Sequence, residues 1–249
     1  MSANSKKIPP CGFGEAIGII VWKWWYPAVR LGHHNYAATY DFPVRIKFIE
    51  NPWAPKDKKE EWGGWNLPEY IRCAKELEEE GVAAITTNCG LTGTIQEELA
   101  NAVDVPVFTS SLIQVPLVSR MIGKKKKVGI IVASEEWAKA QKYRLLRSCG
   151  IDESIPIVLR GMEESKYGDI WRTQFKLGSE YNPKKVEKIM VAVAKEMISE
   201  NPDIGAFVLE CTEMPLYAAA IREATGLLVF DSTTLVRYVY NAIVKKRYF

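Results

Sequence analysis

Two cysteines stand at matching places in the chain, each directly after a short apolar run rich in β-branched residues. Cys89 follows the run at 82–87, and Cys211 follows the run at 205–210. A segment with helical spacing comes next in both cases, so each thiol is expected at the carboxyl end of a strand and beside a helix start. The N–H groups and the dipole of a helix start stabilise anions, which predicts a lowered pKa for both thiols.

A pair of thiols that faces one carbon atom from opposite sides can move protons there. One thiolate removes the proton from a carbon next to a carboxylate, and the opposing thiol returns a proton to the other face, which inverts the centre. Backbone N–H groups after each cysteine would hold the carboxylate and stabilise the carbanion. This chemistry requires neither a metal nor pyridoxal phosphate, so no cofactor is predicted. The remaining cysteines are interpreted as small buried apolar residues: Cys11, Cys73 and Cys149.

The sequence contains an internal repeat, which indicates two halves derived from one ancestral unit. Residues of the runs 17–21, 84–89 and 107–110 return in the runs 128–132, 206–211 and 229–232. Each half therefore has an opening buried strand, then a strand that ends in a cysteine, then a strand that ends in Val-Phe before a hydroxyl-bearing turn. If the halves face each other across a pseudo-twofold axis, both thiols approach one central pocket.

The predicted elements alternate between short apolar runs and helical patterns, which is typical of parallel sheets covered on both faces. The predicted strands are 17–22, 44–49, 82–87, 105–108, 128–133, 155–159, 205–210 and 227–230. Helix starts are marked by Asn66 with Pro68, by Thr94 with Glu97 at capping-box spacing, and by Ser134.

The expected fold is α/β, with two similar lobes related by a pseudo-twofold axis. Each lobe is a mainly parallel sheet flanked by helices, and the active site lies between the lobes. Residues 1–123 are expected to form the first lobe and residues 124–249 the second, with the last helix returning to pack on the first.

Composition argues against several classes of partner. The formal charge of +3 is too small to indicate nucleic-acid binding, and the basic run Lys124–Lys127 has no interleaved aromatic residues. No apolar run approaches the ~20 residues that span a bilayer, and no signal peptide is recognised, so a cytoplasmic protein without membrane contact is expected. His33 and His34 lack metal-ligand spacing, and no metal site is predicted. The segment Gly32–Trp65 interrupts the repeat, and its tryptophan-rich part, 51–65, is compatible with a lid, with a homodimer contact or with packing over the first lobe.

The residues around both cysteines resemble the aspartate/glutamate racemase superfamily. Thr86–Gly90 and Glu210–Pro215 carry the resemblance, which extends over most of the chain. It implies two similar α/β lobes, a dimer, and a cofactor-independent mechanism in which Cys89 and Cys211 are the two catalytic bases.

The resemblance also implies a set of substrate-binding residues around the cysteines. Thr212 would help to hold the substrate carboxylate, and Glu213 would orient or tune Cys211. The complete predicted set is Asn88, Gly90, Thr92, Ser110, Ser111, Thr212 and Glu213.

The chain departs from the amino-acid racemases of that superfamily in two places. Those enzymes carry Asn-Thr after the first cysteine, whereas this chain has Gly90 and Leu91. The turn after the first strand, Trp22–Trp25, is bulky and aromatic. Both departures favour a larger carboxylate or a hydantoin-like substrate. Arg45 or Lys23 could pair with a second carboxylate, although each is better explained as a surface charge.

The predicted function is that of a cofactor-independent amino-acid racemase of the aspartate/glutamate type, acting on a small-molecule carboxylate. Four alternatives stay open: a maleate-type cis-trans isomerase, a hydantoin racemase, a decarboxylase, and a non-catalytic protein that binds a small acid. The decarboxylases of the superfamily use one proton-donating cysteine, so two cysteines argue against that version. A redox protein with a Cys89–Cys211 disulfide would require the Cα atoms to lie within ~7 Å.

Overall fold

The computed structural model describes residue 14 and residues 16–23, 30–176 and 178–245. The interpretation of Cys11, and that of the turn residues Trp24 and Trp25, lie outside this part of the chain. The strands are β1 (Ile17–Trp22), β2 (Val44–Ile49), β3 (Ala84–Thr87), β4 (Lys127–Val132), β5 (Ile157–Gly161), β6 (Ile204–Leu209) and β7 (Leu228–Phe230). The α-helices are α1 (Leu67–Glu79), α2 (Gln96–Ala100), α3 (Val115–Ile122), α4 (Glu135–Ser148), α5 (Gly168–Arg172), α6 (Pro183–Glu200), α7 (Ala218–Thr225) and α8 (Ser232–Ile243).

The strands form two parallel sheets with equivalent strand orders. The first sheet has the order β2-β1-β3, and the second has the order β5-β4-β6-β7. The segment 106–108 lies beside β3 as β7 lies beside β6, but it makes only a bridge between Ile85 and Val107. The predicted strand 105–108 is therefore wrong as a full strand. Pro106 within it has no N–H group to donate to a ladder.

The central strand of each sheet carries a glycine at the matching repeat position, because a neighbouring side chain packs directly onto the backbone there. A Cβ atom at Gly18 of β1 would lie 2.9 Å from a methyl carbon of Leu77. A Cβ atom at Gly129 of β4 would lie 2.7 Å from the ring of Phe207. The repeat therefore preserves a close contact in both cores, where side chains are packed without voids.

The two halves exchange their last helices. Val115 and Val118 of α3 pack in one apolar cluster with Val128 of β4, so α3 covers the second sheet. Leu235 and Val236 of α8 pack with the residues of β1, so α8 covers the first sheet. The predicted boundary at residue 123 assigned α3 to the first lobe. The apolar face of α3 is instead buried against the second sheet.

The tryptophan-rich segment packs within the chain. Trp65 is completely buried and stacks on Trp53, with ring centroids 4.8 Å apart. Trp137 of α4 lies 5.5 Å from Trp65, and Arg144 of the same helix donates to the carbonyl of Glu61 at 2.9 Å. The segment 51–65 thus joins the first sheet to a helix of the second half.

Two of the predicted helix caps have different outcomes. Ser134 caps α4 by accepting a hydrogen bond from the N–H of Trp137, as its position predicts. The predicted capping box at Thr94 is wrong, because Thr94 lies inside a short 3-10 helix, Gly90–Ile95, and donates to the carbonyl of Leu91. Within the described ranges, no helix combines the length and the apolar character needed to cross a membrane.

Candidate active site

The two cysteine loops begin where the central strands of the sheets hold their backbone. Asn88 is the first residue after β3, and its N–H donates to the carbonyl of Ile20 in β1 at 2.9 Å. Cys89 follows directly. The N–H of Glu210 donates to Ile131 of β4 at 2.8 Å, which carries the chain beyond β6 to Cys211. Both cysteines therefore stand at the carboxyl ends of strands, as the sequence predicts.

The loops meet between the sheets. The hydroxyl of Thr212 donates to the backbone carbonyl of Asn88 at 2.6 Å, and both residues are buried. The hydroxyl of Ser111 donates to the carbonyl of Leu209 at 2.6 Å, which ties the first half to the end of β6. The residues that follow each cysteine are thereby held in one rigid assembly.

Gly90 is required by the close approach of Glu210. A Cβ atom at residue 90 would lie 2.3 Å from the backbone carbonyl oxygen of Glu210 and 2.5 Å from its Oε1 atom. The Glu210 carboxyl group thus fills the space beside Cys89 that any side chain at residue 90 would need. This contact explains why the asparagine expected from the resemblance is absent here.

The prediction of a lowered thiol pKa is wrong for both cysteines. Although each residue keeps some exposure, the packing around its sulfur raises the pKa well above the ordinary value, and the carboxyl groups of Glu210 and Glu213 raise it further. The N–H groups of Leu91 and Thr92 lower the pKa of Cys89, but they do not offset the burial. The following helices are only short 3-10 turns, so their dipoles are small.

Glu210 is itself perturbed. Burial raises the pKa of the Glu210 carboxyl group to about 7. The N–H of Ala133, which donates to Oε2 at 3.0 Å, lowers this pKa but does not offset the effect of burial. Its Oε1 atom is buried without a hydrogen-bond partner. The group beside both thiols therefore changes its charge near neutral pH.

Two of the predicted binding residues, Asn88 and Glu213, have unused polar atoms, whereas several others are already engaged. Asn88 is 2% exposed, and neither polar atom of its side chain has a partner among the described residues. The hydroxyl of Thr92 donates to the carbonyl of Cys89 at 2.5 Å, and Ser110 accepts from the N–H of Leu112. With the bonds of Ser111 and Thr212 already described, these hydroxyl groups position the loops.

His33 is the site residue that the sequence interpretation missed. It is completely buried, and its Nε2 atom lies 2.5 Å from Oε1 of Glu213, a residue 180 positions away. The adjacent histidines lack metal-ligand spacing, and no local pattern links either to the second half. A signal was nevertheless present, because the only two histidines of the chain fall in the segment that interrupts the repeat. Within the described residues, no acidic, histidine or cysteine cluster has the arrangement of a metal site.

The segment that carries His33 lies across the second lobe. Arg30 donates to the hydroxyl of Tyr181, which lies 2.6 Å from the hydroxyl of Tyr217. Gly32 packs against Leu216, the third residue beyond Glu213. Residues 30–33 therefore close one side of the cysteine site.

The remaining sequence-based candidates lie elsewhere. Lys23 and Arg45 form ion pairs with Glu50 and Glu80, at 2.6 Å and 2.8 Å, which agrees with their interpretation as surface charges. Cys73 and Cys149 are buried among apolar residues, as predicted. His34 is buried, and its burial lowers its pKa to about 3.

Comparison with known proteins identifies the family. The Asp/Glu/Hydantoin racemase profile matches residues 44–236. The chain belongs to this family. A dimethylsulfoniopropionate lyase of Emiliania huxleyi (lyase 7) is 28% identical over 236 residues, covering 93% of this chain and 67% of the relative. A dimethylsulfoniopropionate lyase of Durusdinium sp. clade D is 30% identical over 170 residues, covering 67% of this chain and 54% of the relative. The chain thus spans about half to two thirds of the length of these curated relatives.

Solved structures confirm the fold. A cysteine-substituted form of arylmalonate decarboxylase matches with a TM-score of 0.59 at 16% identity, covering 94% of this chain and 96% of that one. An aspartate racemase homologue from Pyrococcus horikoshii matches with a TM-score of 0.53 at 21% identity, covering 91% and 99%. The family profile confirms the predicted superfamily, and these structures confirm the two-sheet α/β architecture.

Proposed function

We propose that this chain removes a proton from the carbon next to a substrate carboxylate, and that it then expels a leaving group from the adjacent carbon. The observation that carries the proposal is the junction of the two cysteine loops. Equivalent thiols from both halves are held at the carboxyl ends of β3 and β6 by the Thr212–Asn88 hydrogen bond, close enough that charge on Cys89 raises the pKa of Cys211. Thiols so placed can transfer protons at one carbon.

The elimination step is balanced without a cofactor. One cysteine thiolate takes the proton from C2 of the substrate, and the C–H electron pair becomes the C2–C3 double bond. The bond from C3 to the leaving group breaks, and its electrons depart with that group. For dimethylsulfoniopropionate the products are acrylate and dimethyl sulfide, while the proton remains on the cysteine until solvent removes it.

The relatives favour elimination over racemisation. The five curated proteins that match the chain are all named dimethylsulfoniopropionate lyases. The site supports a substrate unlike that of the amino-acid racemases, because Gly90 and Glu210 replace the side-chain contact that those enzymes have after the first cysteine. Asn88 supplies unpaired amide groups for a substrate carboxylate.

Racemisation of an aspartate- or glutamate-type amino acid is the second candidate. The presence of the second thiol favours it, because elimination requires one base whereas inversion requires an acid on the opposite face as well. Both reactions share the same carbanion. The two reactions differ only in what the carbanion does next, and this depends on whether the adjacent carbon carries a leaving group.

The test supplies both kinds of substrate to the purified, reduced protein. Dimethylsulfoniopropionate is assayed for dimethyl sulfide by headspace gas chromatography, and aspartate and glutamate are assayed in D₂O for α-deuterium and chirality. The lyase proposal expects dimethyl sulfide from the wild type and from Cys73→Ala, which changes a buried cysteine of α1 that has no role in the proposal, and strong loss in Cys89→Ser. Deuterium exchange with inversion, lost in both Cys89→Ser and Cys211→Ser, would establish the racemase instead.

A further inference from the structure

Glu213 is a buried carboxyl group with only half of its hydrogen-bonding capacity used. Glu213 is 2% exposed, and its Oε1 atom forms a hydrogen bond with Nε2 of His33. Its Oε2 atom is buried without a partner. Within the described residues, Glu213 forms no salt bridge with any lysine or arginine.

The tautomer of His33 is fixed by the backbone. The N–H of Asn35 donates to the Nδ1 atom of His33 at 3.0 Å, so that nitrogen carries no proton. The ring proton must then lie on Nε2, where it is donated to Glu213. This contact satisfies Oε1 of the Glu213 carboxylate and leaves Oε2 without a partner, and it brings no lysine or arginine to the negative charge.

The surrounding titratable groups leave this charge uncompensated. Glu210 adds a second carboxyl group, and Cys89, Cys211 and Tyr217 are neutral acids that feel the charge of Glu213. Arg30 is a cationic side chain on this side of the site, but it acts on Tyr217 and donates to the hydroxyl of Tyr181. An unpaired buried carboxylate is unfavourable, and a ligand that carries the missing positive charge would remove the penalty.

We propose that the free oxygen of Glu213 receives the positively charged group of the substrate, an ammonium or a sulfonium, and that this cation is what allows the neighbouring thiols to ionise. The inference rests on the proposed proton-transfer function and adds to it a substrate class and an order of events. In the empty site burial opposes thiolate formation, and the two carboxyl groups oppose it further. A cation that binds beside Glu213 offsets the electrostatic part of that opposition, so the base forms more readily with substrate in place.

The arrangement has a functional consequence. A thiol that stays protonated until substrate binds reacts slowly with oxidants and alkylating agents, because the thiolate is the reactive form. A substrate without the cation would bind a site whose cysteines remain protonated. His33 is accordingly a positioning residue, which acts on the reaction only through Glu213.

Two unreactive ligands of equal shape test the inference. The first is 3-(dimethylamino)propanoate, which is cationic at neutral pH and has a poor leaving group; the second is 4-methylpentanoate, which lacks the charge. We expect the wild-type protein to bind the cationic ligand about 10-fold more tightly or better, as measured by calorimetry. The ultraviolet absorbance of thiolate should rise when the cationic ligand is added and stay constant with the neutral one.

Variants assign the effect to the Glu213–His33 pair. Glu213→Gln should reduce the preference to within about 2-fold, and His33→Phe should weaken it, because the carboxylate loses the donor that holds it in place. His33→Gln should restore the preference, because an amide N–H can replace the imidazole donor. Circular dichroism and thermal unfolding establish that each variant is folded. Equal affinity for both ligands in the wild type, or a preference that survives in Glu213→Gln, would overturn the inference.

The inference and the proposed function can fail separately. Charge-dependent binding that requires Glu213, without any elimination or α-deuterium exchange, would reject the proton-transfer function and keep the cation site. Turnover without charge preference would reject the cation site alone. A second ligand pair, alanine and 2-methylpropanoate, distinguishes an ammonium on the α-carbon from a cation one carbon further away.

Discussion

The two cysteine loops share a scaffold and differ in their electrostatics. Each follows a buried strand at the same place in its half, and each sulfur lies near backbone N–H groups. The N–H groups of Leu91 and Thr92 lower the pKa of Cys89, and the N–H of Glu213 lowers that of Cys211. Both carboxyl groups of the site come from the second loop, where Glu210 and Glu213 flank Cys211 in sequence.

The repeat places both thiols at equivalent strand ends, and we propose that the flanking residues give them different roles. Cys89 has the better anion stabilisation from the backbone, and we interpret it as the base that removes the substrate proton. Cys211 is enclosed by acids in its own loop and is the thiol better suited to remain protonated. Substitutions in the two loops test this difference between the thiols.

The largest expected effect is an unequal response to cysteine substitution. Because Cys89 is interpreted as the base, Cys89→Ser should lower the kcat of elimination by about 10³-fold, within the range of general-base catalysis. Cys211→Ser should lower it by only about 10-fold, because elimination does not need a second proton donor. Initial rates of dimethyl sulfide release measure both. Equal losses, or the reverse order, would show that the loops do not have separate roles.

The residues after the two cysteines should differ in their effect on stability. Gly90→Ala forces a Cβ atom against the backbone of Glu210 and should lower the free energy of unfolding by about 3 kcal/mol. Thr212→Ala, at the matching position, removes one hydrogen bond to Asn88 and should cost about 1 kcal/mol. Urea unfolding with unchanged m-values gives both numbers, and Thr212→Ser serves as the control that keeps the hydroxyl. A Gly90→Ala variant of wild-type stability would contradict the packing of the loops.

The smallest effect concerns the pH dependence contributed by Glu210. Its folded pKa is about 7 and so lies above the ordinary value. Between the ordinary value and about 7 the folded state binds more protons than the unfolded state, so the free energy of unfolding falls as the pH rises through this interval. Glu210→Gln should therefore gain about 2 kcal/mol over the wild type near pH 8 and almost nothing near pH 4.

The exposed Glu79 provides the matched control for that titration. Glu79→Gln on α1 removes the same charge from a solvent-exposed position and should leave the pH profile of stability unchanged. Thermal unfolding of all three proteins across this pH range measures the difference. A gain for Glu210→Gln that does not depend on pH would mean that burial of the charged carboxyl group is not its cause.

Much of the fold and part of the site could be predicted because they depend on local sequence. The apolar runs that became β1, β3, β4 and β6 are buried on both faces, and such strands have a recognisable composition. The repeat then placed both cysteines after equivalent strands. Strand ends project into the space above a parallel sheet, so the position of the thiols followed from the pattern alone.

Local patterns in the chain were enough to predict the two-sheet architecture, the superfamily and the placement of Cys89 and Cys211 at strand ends. The direction of the thiol pKa shifts depends on the folded packing, because burial and nearby carboxyl groups act through space and outweigh the short helix turns. The folded packing also decided the pairing of His33 with Glu213, which no local pattern encodes across 180 residues. Periodicity reports which face of an element is buried, whereas the partner that buries it depends on how the whole chain packs.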